Sequence, residues 1–410
     1  MKKMIRITAL VAVIMAMALC IIGCSGNTEN VTSDPQAVCY VYAKRNNERV
    51  INVNSLRSSV RDVIKSEGLV AVVCCDGKPE IIAADYYEFD DANVGAEQSL
   101  IDEDIDNLTA QKLSEMKGVT ANDPEVDVLA ALRLALRAFS TLPAEIPKKI
   151  VVIDSGISTC GDLDFRNNIL SADPATVVDE LQKRKAIPDF TGIVVEWYQM
   201  GDTVLPQEPL TESQKARLEE LWEAIITSGG GVFVPNYAPY SDETISSDLP
   251  AVSPVTLPAE MPMEMPIWFD PETLSGDDAF QSPMFLTEQM IEFIGDSDQP
   301  RHPDKAIAVV SPIAEYMKSH NDITLLLVGT TAGDENGQYN LDLSQRRADT
   351  IKKMMVSQGV SEERLITKGM GSADPWHVYG VGTKGELAAQ NRKVVLIDYY
   401  SDTAQELLAQ

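Results

Sequence analysis

From residue 38 to residue 234 the chain alternates short apolar runs with amphipathic segments, and this alternation constrains the fold more than any other feature. Strands are expected at 38–43, 69–75, 149–154, 192–199 and 232–234, and helices at 55–67, 175–184 and 212–227. In the first helix Leu56, Val60, Val63 and Ile64 share one face at the helical period. Asp76-Gly77 is a tight-turn pair, so 80–84 returns beside 69–75 as a hairpin. A long acidic stretch then runs from 85 to 123. Asp123-Pro124 reads as an N-cap and first helical residue, and Val126, Leu129, Leu132, Leu136 and Phe139 form the buried stripe of the helix that follows. Gly229-Gly230-Gly231 closes the last helix. Parallel strands need long crossovers, which helices supply, so this half is a mainly parallel, doubly wound α/β sheet with both faces covered.

Prolines interrupt the pattern. Pro235, Pro239, Pro250, Pro254, Pro258, Pro262, Pro266 and Pro271 fit an extended, semi-stiff linker, assigned to 237–284. In it Met261, Met263 and Met265 read as an apolar strip lying on a domain, and Trp268 and Phe269 point to docking. The second half spans 285–400, with strands at 291–294, 323–328, 364–368 and 393–399 and helices at 305–319 and 344–357. Pro312 either kinks the first of these helices or restarts it behind Ser311. Ala348, Ile351 and Met355 form the buried stripe of the second, and Gly359 ends it. Residues 401–410 are left as a tail.

The chemistry concentrates at 323–348. An apolar strand enters a polar loop holding Gly329, Gly333 and Gly337, and the loop enters a helix at Ser344. Glycines permit close backbone approach to a ligand. Arg346 and Arg347, expected in the first helical turn, oppose the helix dipole there and so favour an anion site over a stability role. A guanidinium can grip a carboxylate through two parallel hydrogen bonds. The plainer alternative is a solvated arginine pair on a helix face.

Tyr339-Asn340, Leu343-Ser344, Arg346-Arg347-Ala348, Gly369-Met370-Gly371, Pro375 and Asn391-Arg392-Lys393-Val394 together resemble the OmpA/MotB-type C-terminal domain. That resemblance implies a βαβαββ α+β fold that binds peptidoglycan without cleaving it. It implies that Arg347 holds the free carboxylate of the stem-peptide diaminopimelate. Thr331 and Asn340 join the expected binding set, and Arg392 is either a secondary ligand contact or a structural ion pair. The family has an aspartate three residues after the first loop glycine, which receives the ligand's ammonium. Ala332 stands there instead, with Asp334 two residues on as the stand-in.

The first half, 37–236, is similar to a von Willebrand factor A (vWA) domain in its element order and in the Lys148-Lys149-Ile150-Val151-Val152-Ile153-Asp154-Ser155-Gly156 run. The magnesium site of that family needs Asp-x-Ser-x-Ser after the first strand, because hard cations take oxygen ligands. Here Ala43-Lys44-Arg45-Asn46-Asn47 follows, and its cations repel a metal. Asp154 and Ser158 carry suitable groups at a different strand, either as a metal site or as a capped loop. The expectation is a degenerate domain without metal or cofactor, used for protein contact or as a scaffold.

Residues 1–23 read as a secretion leader, with Lys2, Lys3 and Arg6 ahead of an apolar run at 7–22. The Gly23-Cys24 junction resembles a bacterial lipoprotein signal, which implies lipid on Cys24 and a tether over 24–36. An uncleaved membrane helix is the alternative, but the run is short of the ~20 residues a span needs. Net charge of −28 argues against nucleic acid and anionic lipid as electrostatic partners. His302, His320 and His377 have no zinc-ligand spacing, and no CxxC pair exists. Cys39, Cys74, Cys75 and Cys160 either form disulfides or are buried small residues, and Cys74 and Cys75 would face opposite sides of a strand. Together these resemblances imply a non-catalytic envelope lipoprotein outside the cytoplasm, with peptidoglycan, a membrane and an unidentified protein as its expected partners. A wall hydrolase lacks any nucleophile–base constellation. A flagellar stator subunit lacks a carboxylate in 7–22. A protein–protein module that has lost the wall ligand through Ala332 is the remaining alternative.

Overall fold

The apolar runs of the first half become β1 (Ala37–Tyr42), β2 (Leu69–Cys74), β3 (Glu80–Tyr86), β4 (Lys148–Ile153), β5 (Ile193–Tyr198) and β6 (Val232–Asn236). They form one sheet in the order β3-β2-β1-β4-β5-β6, parallel except for the hairpin return of β3. The computed structural model describes residues 35–46, 52–89, 98–203, 205–237, 248–261, 263–264 and 280–410. The leader, Cys24, Met265, Trp268 and Phe269 lie outside these residues.

Helices α1 (Arg57–Lys65) and α2 (Gln98–Lys117) cover one face of the sheet, where Tyr40, Tyr42, Val70, Val72 and Cys74 meet Val60, Ile64, Ile105 and Met116. Helices α3 (Val128–Ala138), α4 (Pro174–Lys183) and α5 (Glu212–Ser228) cover the other, where Cys39, Val41, Val73, Cys75 and Val152 meet Leu129, Leu132, Val177, Leu218 and Trp222. Strand pleating sends neighbouring side chains to opposite faces, so Cys74 and Cys75 enter different cores. Cys39, Cys74, Cys75 and Cys160 are all free thiols.

Two expectations for this half need correction. The acidic stretch contains the twenty-residue helix α2. Its apolar seam is interrupted by Thr109 and Lys112, both buried. The Thr109 hydroxyl donates to the Ile105 carbonyl at 2.7 Å, and Lys112 pairs with Asp85 and Glu115. Those internal partners let polar residues sit where a sequence pattern calls for apolar ones. Helix α3 is capped by Asp127, which accepts from the Ala130 amide at 2.9 Å, while Asp123 closes a local turn with Glu125. The Val126 amide is held at 2.8 Å by Thr159 Oγ1, which ties the chain to the β4 loop and delays the helix.

Residues 248–261, expected as part of an extended, semi-stiff linker, lie docked on the first half. The Asn46 amide donates to the Pro250 carbonyl, Ser253 to Pro124, and Gln207 brackets Val255 from both sides of its backbone. Val255 and Met261 are buried in the first half's core, as an apolar strip would be.

The second sheet runs β10-β9-β11-β8-β7, from β7 (Met263–Glu264), β8 (Met284–Thr287), β9 (Leu325–Thr330), β10 (Leu365–Gly371) and β11 (Lys393–Asp398). Helices α6 (Pro303–Ser319), α7 (Gln338–Ser357), α8 (Glu386–Gln390) and α9 (Asp402–Ala409) accompany it. The strand expected at 291–294 is a turn region, and β8 takes its place beside β11. Ile291 is still buried, which explains the misreading: apolar character there serves a turn packed on the core. Helix α6 is unbroken through Pro312. Residues 401–410, expected as a tail, contain α9, which buries Ala404 and Leu407 near Phe285 and Trp376.

Helix α7 begins right after Gly337, a full turn and more ahead of Ser344. It lies against β9 and β10 at two glycines. A Cβ on Gly329 would stand 1.9 Å from the Ser344 carbonyl oxygen, and one on Gly369 2.5 Å from the Gln345 amide. Residues 35–410 pack as one unit, and Val378 and Leu387 of the second half are buried in the core of the first.

Candidate functional site

The early start of α7 moves Arg346 and Arg347 to the middle of the helix, so the expectation of a first-turn pair set against the dipole is corrected. Their fates differ. Arg346 is exposed, while Arg347 is 6% exposed and faces a cleft of about 920 Å³. The cleft is bounded by the β8–α6 turn, the β9–α7 loop, α7 and the segment entering α8. Thr331, Asp334, Asn340, Arg347 and Arg392 all line it.

Arg347 is oriented by two contacts that leave its charge unneutralised. Its Nε donates to the Ser297 carbonyl at 3.0 Å, and its guanidinium lies 5.0 Å from the centroid of Phe293. Among the described residues no carboxylate is within ion-pair distance of it. Burial pushes its pKa down, the direction expected of a desolvated cation, although Glu288 opposes this from a distance. Its free Nη groups can take an anion.

Arg392 is committed differently. Its Nε and Nη2 bind both oxygens of Glu288 at 2.8 and 2.6 Å, and its Nη1 donates to the Thr383 carbonyl at 3.0 Å. The ion-pair alternative for this residue is therefore the one the geometry realises, and the pair forms part of the cleft wall. Asn340 donates to the Glu335 carbonyl at 2.7 Å and braces the β9–α7 loop. The Thr331 amide donates to the Gly371 carbonyl at 2.8 Å, but its buried Oγ1 has no protein partner among the described residues. Ala332 lines the cleft and offers no acceptor.

Asp334 is the carboxylate nearest to the missing one in sequence. One oxygen accepts from the Gly380 amide at 3.1 Å, and the other lies 3.4 Å from His377 Nε2. Its side chain is 44% exposed, so it keeps access to solvent and to a ligand. Sequence reading passed over His377 as a histidine without metal spacing. In the fold it is fully buried, with Asp334 on one side and Asp374 Oδ2 3.7 Å from its Nδ1 on the other. Behind it, Lys393 Nζ lies 3.5 Å from Asp374 Oδ1 and donates to the Trp376 carbonyl at 3.0 Å. Burial pushes the Asp374 carboxyl up, but Lys393 and then His377 outweigh it and hold it below the usual carboxylate range. Lys393 has only Asp374 on its side, and burial pushes its pKa down. The sign present in the sequence is the cluster Gly380, Gly382 and Gly385, and in the fold all three adopt positive φ.

The first half has a second crevice, at the C-terminal ends of β1 and β4, the switch point where doubly wound sheets bind ligands. Arg45, 2% exposed, places Nη1 3.2 Å from Asp154 Oδ2 and bonds the Cys75 carbonyl with Nη2. Asp154 Oδ1 accepts from the Gly156 amide at 2.8 Å, and Ser158 Oγ accepts from the Val128 amide at 3.2 Å. The capped-loop alternative is thus what Asp154 and Ser158 form, with a guanidinium against the carboxylate. Among the described residues no group of three or more His, Cys, Asp or Glu is arranged to hold a metal, and no helix is long and apolar enough to cross a membrane.

Residues 296–386 match the family model described as the OmpA family. The chain is 30% identical over 88 residues to the peptidoglycan-associated lipoprotein of Buchnera aphidicola, covering 22% of this chain and 49% of that protein. It is 35% identical over 95 residues to the peptidoglycan-associated lipoprotein of Legionella pneumophila, covering 23% and 51%. The chain thus spans about half the length of these relatives. Among solved structures, the peptidoglycan-associated lipoprotein from Burkholderia pseudomallei is 28% identical with a TM-score of 0.23, over 26% of this chain and 86% of that one. Thr331, Asp334, Asn340 and Arg347 fall inside the matched segment and Arg392 falls beyond it.

Proposed function

We propose, from the OmpA-like domain at residues 296–386, that the protein binds peptidoglycan without cleaving it, and that the cleft takes a free carboxylate of the wall peptide on Arg347. The observation that carries this reading is a buried guanidinium, oriented by Ser297 and Phe293, with no carboxylate of its own. A cation is costly to desolvate unless something pairs with it. The lone Thr331 hydroxyl offers a further hydrogen bond beside it. Asp334 takes the role left open by Ala332 and receives the ligand's ammonium. Asn340 and the Arg392–Glu288 pair act by shaping the walls. The names of the relatives, peptidoglycan-associated lipoproteins, support the same ligand.

Lipid on Cys24 would hold the chain to a membrane outside the cytoplasm, so lipid and wall together form a two-point tether in which weak wall affinity suffices. The first half, with its vWA-like strand order, serves as a metal-independent scaffold that contacts another protein.

The test is co-sedimentation of the chain from residue 35 onward with purified sacculi of diaminopimelate and lysine types, wild type beside Arg347→Met. Methionine keeps an apolar stem against Phe293 and removes the charge. Loss of a buried charge partner costs ~2 kcal/mol or more, so binding should weaken at least about 30-fold. Wild type that stays in the supernatant with both walls sinks the proposal and leaves a protein–protein module.

A further inference from the structure

One wall of the cleft, Gly382 to Gly385, belongs to a segment that packs on the other half of the molecule. Asn168, between β4 and α4, is 4% exposed and adopts a left-handed conformation with φ 61°. Its Nδ2 donates to two carbonyls of the second half, Pro375 at 2.5 Å and His377 at 3.0 Å. The neighbouring Asn167 carbonyl accepts from the Tyr379 amide at 2.9 Å. Further along, the Asp173 amide donates to Gln390 Oε1 at 3.0 Å. Val378 and Leu387 are 1% and 5% exposed, both inside the first half's core. The segment from Asp374 to Asn391 is thus pinned near each end by the first half.

That same segment orders the ligand groups. The Gly380 amide donates to Asp334, His377 Nε2 lies 3.4 Å from it and 3.3 Å from Asn391 Nδ2, and Gly382 to Gly385 form the cleft wall that Arg392 braces through the Thr383 carbonyl. Arg347, in contrast, is oriented wholly from the second half, by Ser297 and Phe293. The two ends of the cleft therefore have separate supports.

We infer that the first half is a working part of the binding site, and that Asn168 is a positioning residue that sets Asp334 and the glycine wall in the cleft that Arg347 also lines. The inference rests on the wall-peptide reading above. It has a reciprocal consequence: if docking of the first half shapes the cleft, an occupied cleft tightens that docking by the same factor. A protein partner that pulls on the first half would then change the grip on the wall.

Asn168→Gly separates this from a general packing role. Glycine accepts the left-handed backbone, so the substitution removes the amide bonds without adding strain. Asn168→Asp keeps the shape and turns acceptors toward two carbonyls, and should be at least as damaging. The protein used is the chain from residue 35 onward, and the probe is a soluble muropeptide carrying a diaminopimelate stem. Wild-type affinity should fall five- to ten-fold in Asn168→Gly. In wild type the probe should slow amide hydrogen exchange across 165–178, some distance from the cleft, and this ligand-dependent protection should vanish in Asn168→Gly. A residue with only a stabilising role would change basal exchange and leave the ligand-dependent part intact. Wild type that binds with no exchange change at 165–178, or an Asn168→Gly variant that binds equally well, overturns the inference alone. Wild type that fails to bind removes the wall-peptide reading and the inference with it.

Discussion

Replacing Lys393 with methionine isolates the energetics of the polar layer beneath the cleft. Lys393 is 4% exposed, with its Nζ 3.5 Å from Asp374 Oδ1 and 4.8 Å from the Phe285 ring centroid. Asp374 is 1% exposed, and its other donor within hydrogen-bond reach is the Trp376 amide at 3.1 Å. His377 Nδ1, at 3.7 Å, is too far for a direct hydrogen bond. Methionine fills the lysine stem's volume, so little cavity forms. What remains is a carboxylate in the interior without its countercharge, which costs ~3–5 kcal/mol. The pH dependence follows from the same groups. In wild type the Asp374 carboxyl lies below its unfolded value, so its stabilisation is present at neutral pH and is lost as acid reaches the folded pKa. Without Lys393, burial becomes the larger influence and the folded carboxyl takes up a proton more readily than the unfolded one. Urea unfolding should therefore show the largest deficit near pH 7 and a shrinking one as pH falls toward about 4, the ordinary aspartate value. Adding Asp374→Asn should restore most of the loss at pH 7. A deficit under ~1 kcal/mol, the range of an exposed pair, or one that does not change between pH 7 and pH 4, would refute the reasoning.

Thr331→Val should leave stability unchanged or raise it by ~1 kcal/mol, since it deletes a buried hydroxyl that has no protein partner, while weakening the muropeptide. Urea unfolding beside calorimetric titration checks both signs, and a destabilised variant with intact affinity would be the contrary result. Gly329→Ala should be the most damaging one-methyl change in the second half, costing over ~3 kcal/mol, because its Cβ meets the backbone of α7 at 1.9 Å and a helix must move to admit it. A melting curve that overlays wild type would show that α7 is not packed as described.

Much of this fold was legible because its core elements obey one periodicity each. The central strands β1 and β2 and the stripe Ala348, Ile351 and Met355 are buried as their spacing predicts, while the returning strand β3 is largely exposed. What the pattern hid has physical reasons. Helix α2 satisfies Thr109 and Lys112 internally, so its seam does not look apolar. Helix α7 starts on Gln338, Tyr339 and Asn340, an exposed or half-exposed turn with no apolar signal, and the error moved both arginines to the wrong place on the helix. At the cleft, the sequence singles out Thr331, Asp334, Asn340, Arg347 and Arg392, and the fold places all five along one cleft. His377, Asp374 and Lys393 were not, because a histidine between two carboxylates is recognisable only once the chain has brought them together. The supports for Arg347 at Phe293 and Ser297 come from a turn that reads locally as a strand. Asn168 lies more than two hundred residues from the carbonyls it holds, a relation no local pattern carries.

Arg45 against Asp154 has a consequence for the surroundings the molecule can tolerate. A positive charge carried on a side chain is always present at one per molecule. Chelators cannot strip it, and rainfall-dilute or brine-rich surroundings cannot change its occupancy. A recruited ion in this crevice would make the first half's shape follow the calcium and magnesium of its surroundings. The guanidinium is part of the chain, and Val252 and Ser253 of the 248–261 strap line the same crevice, so the link between Arg45 and Asp154 needs no ion from outside.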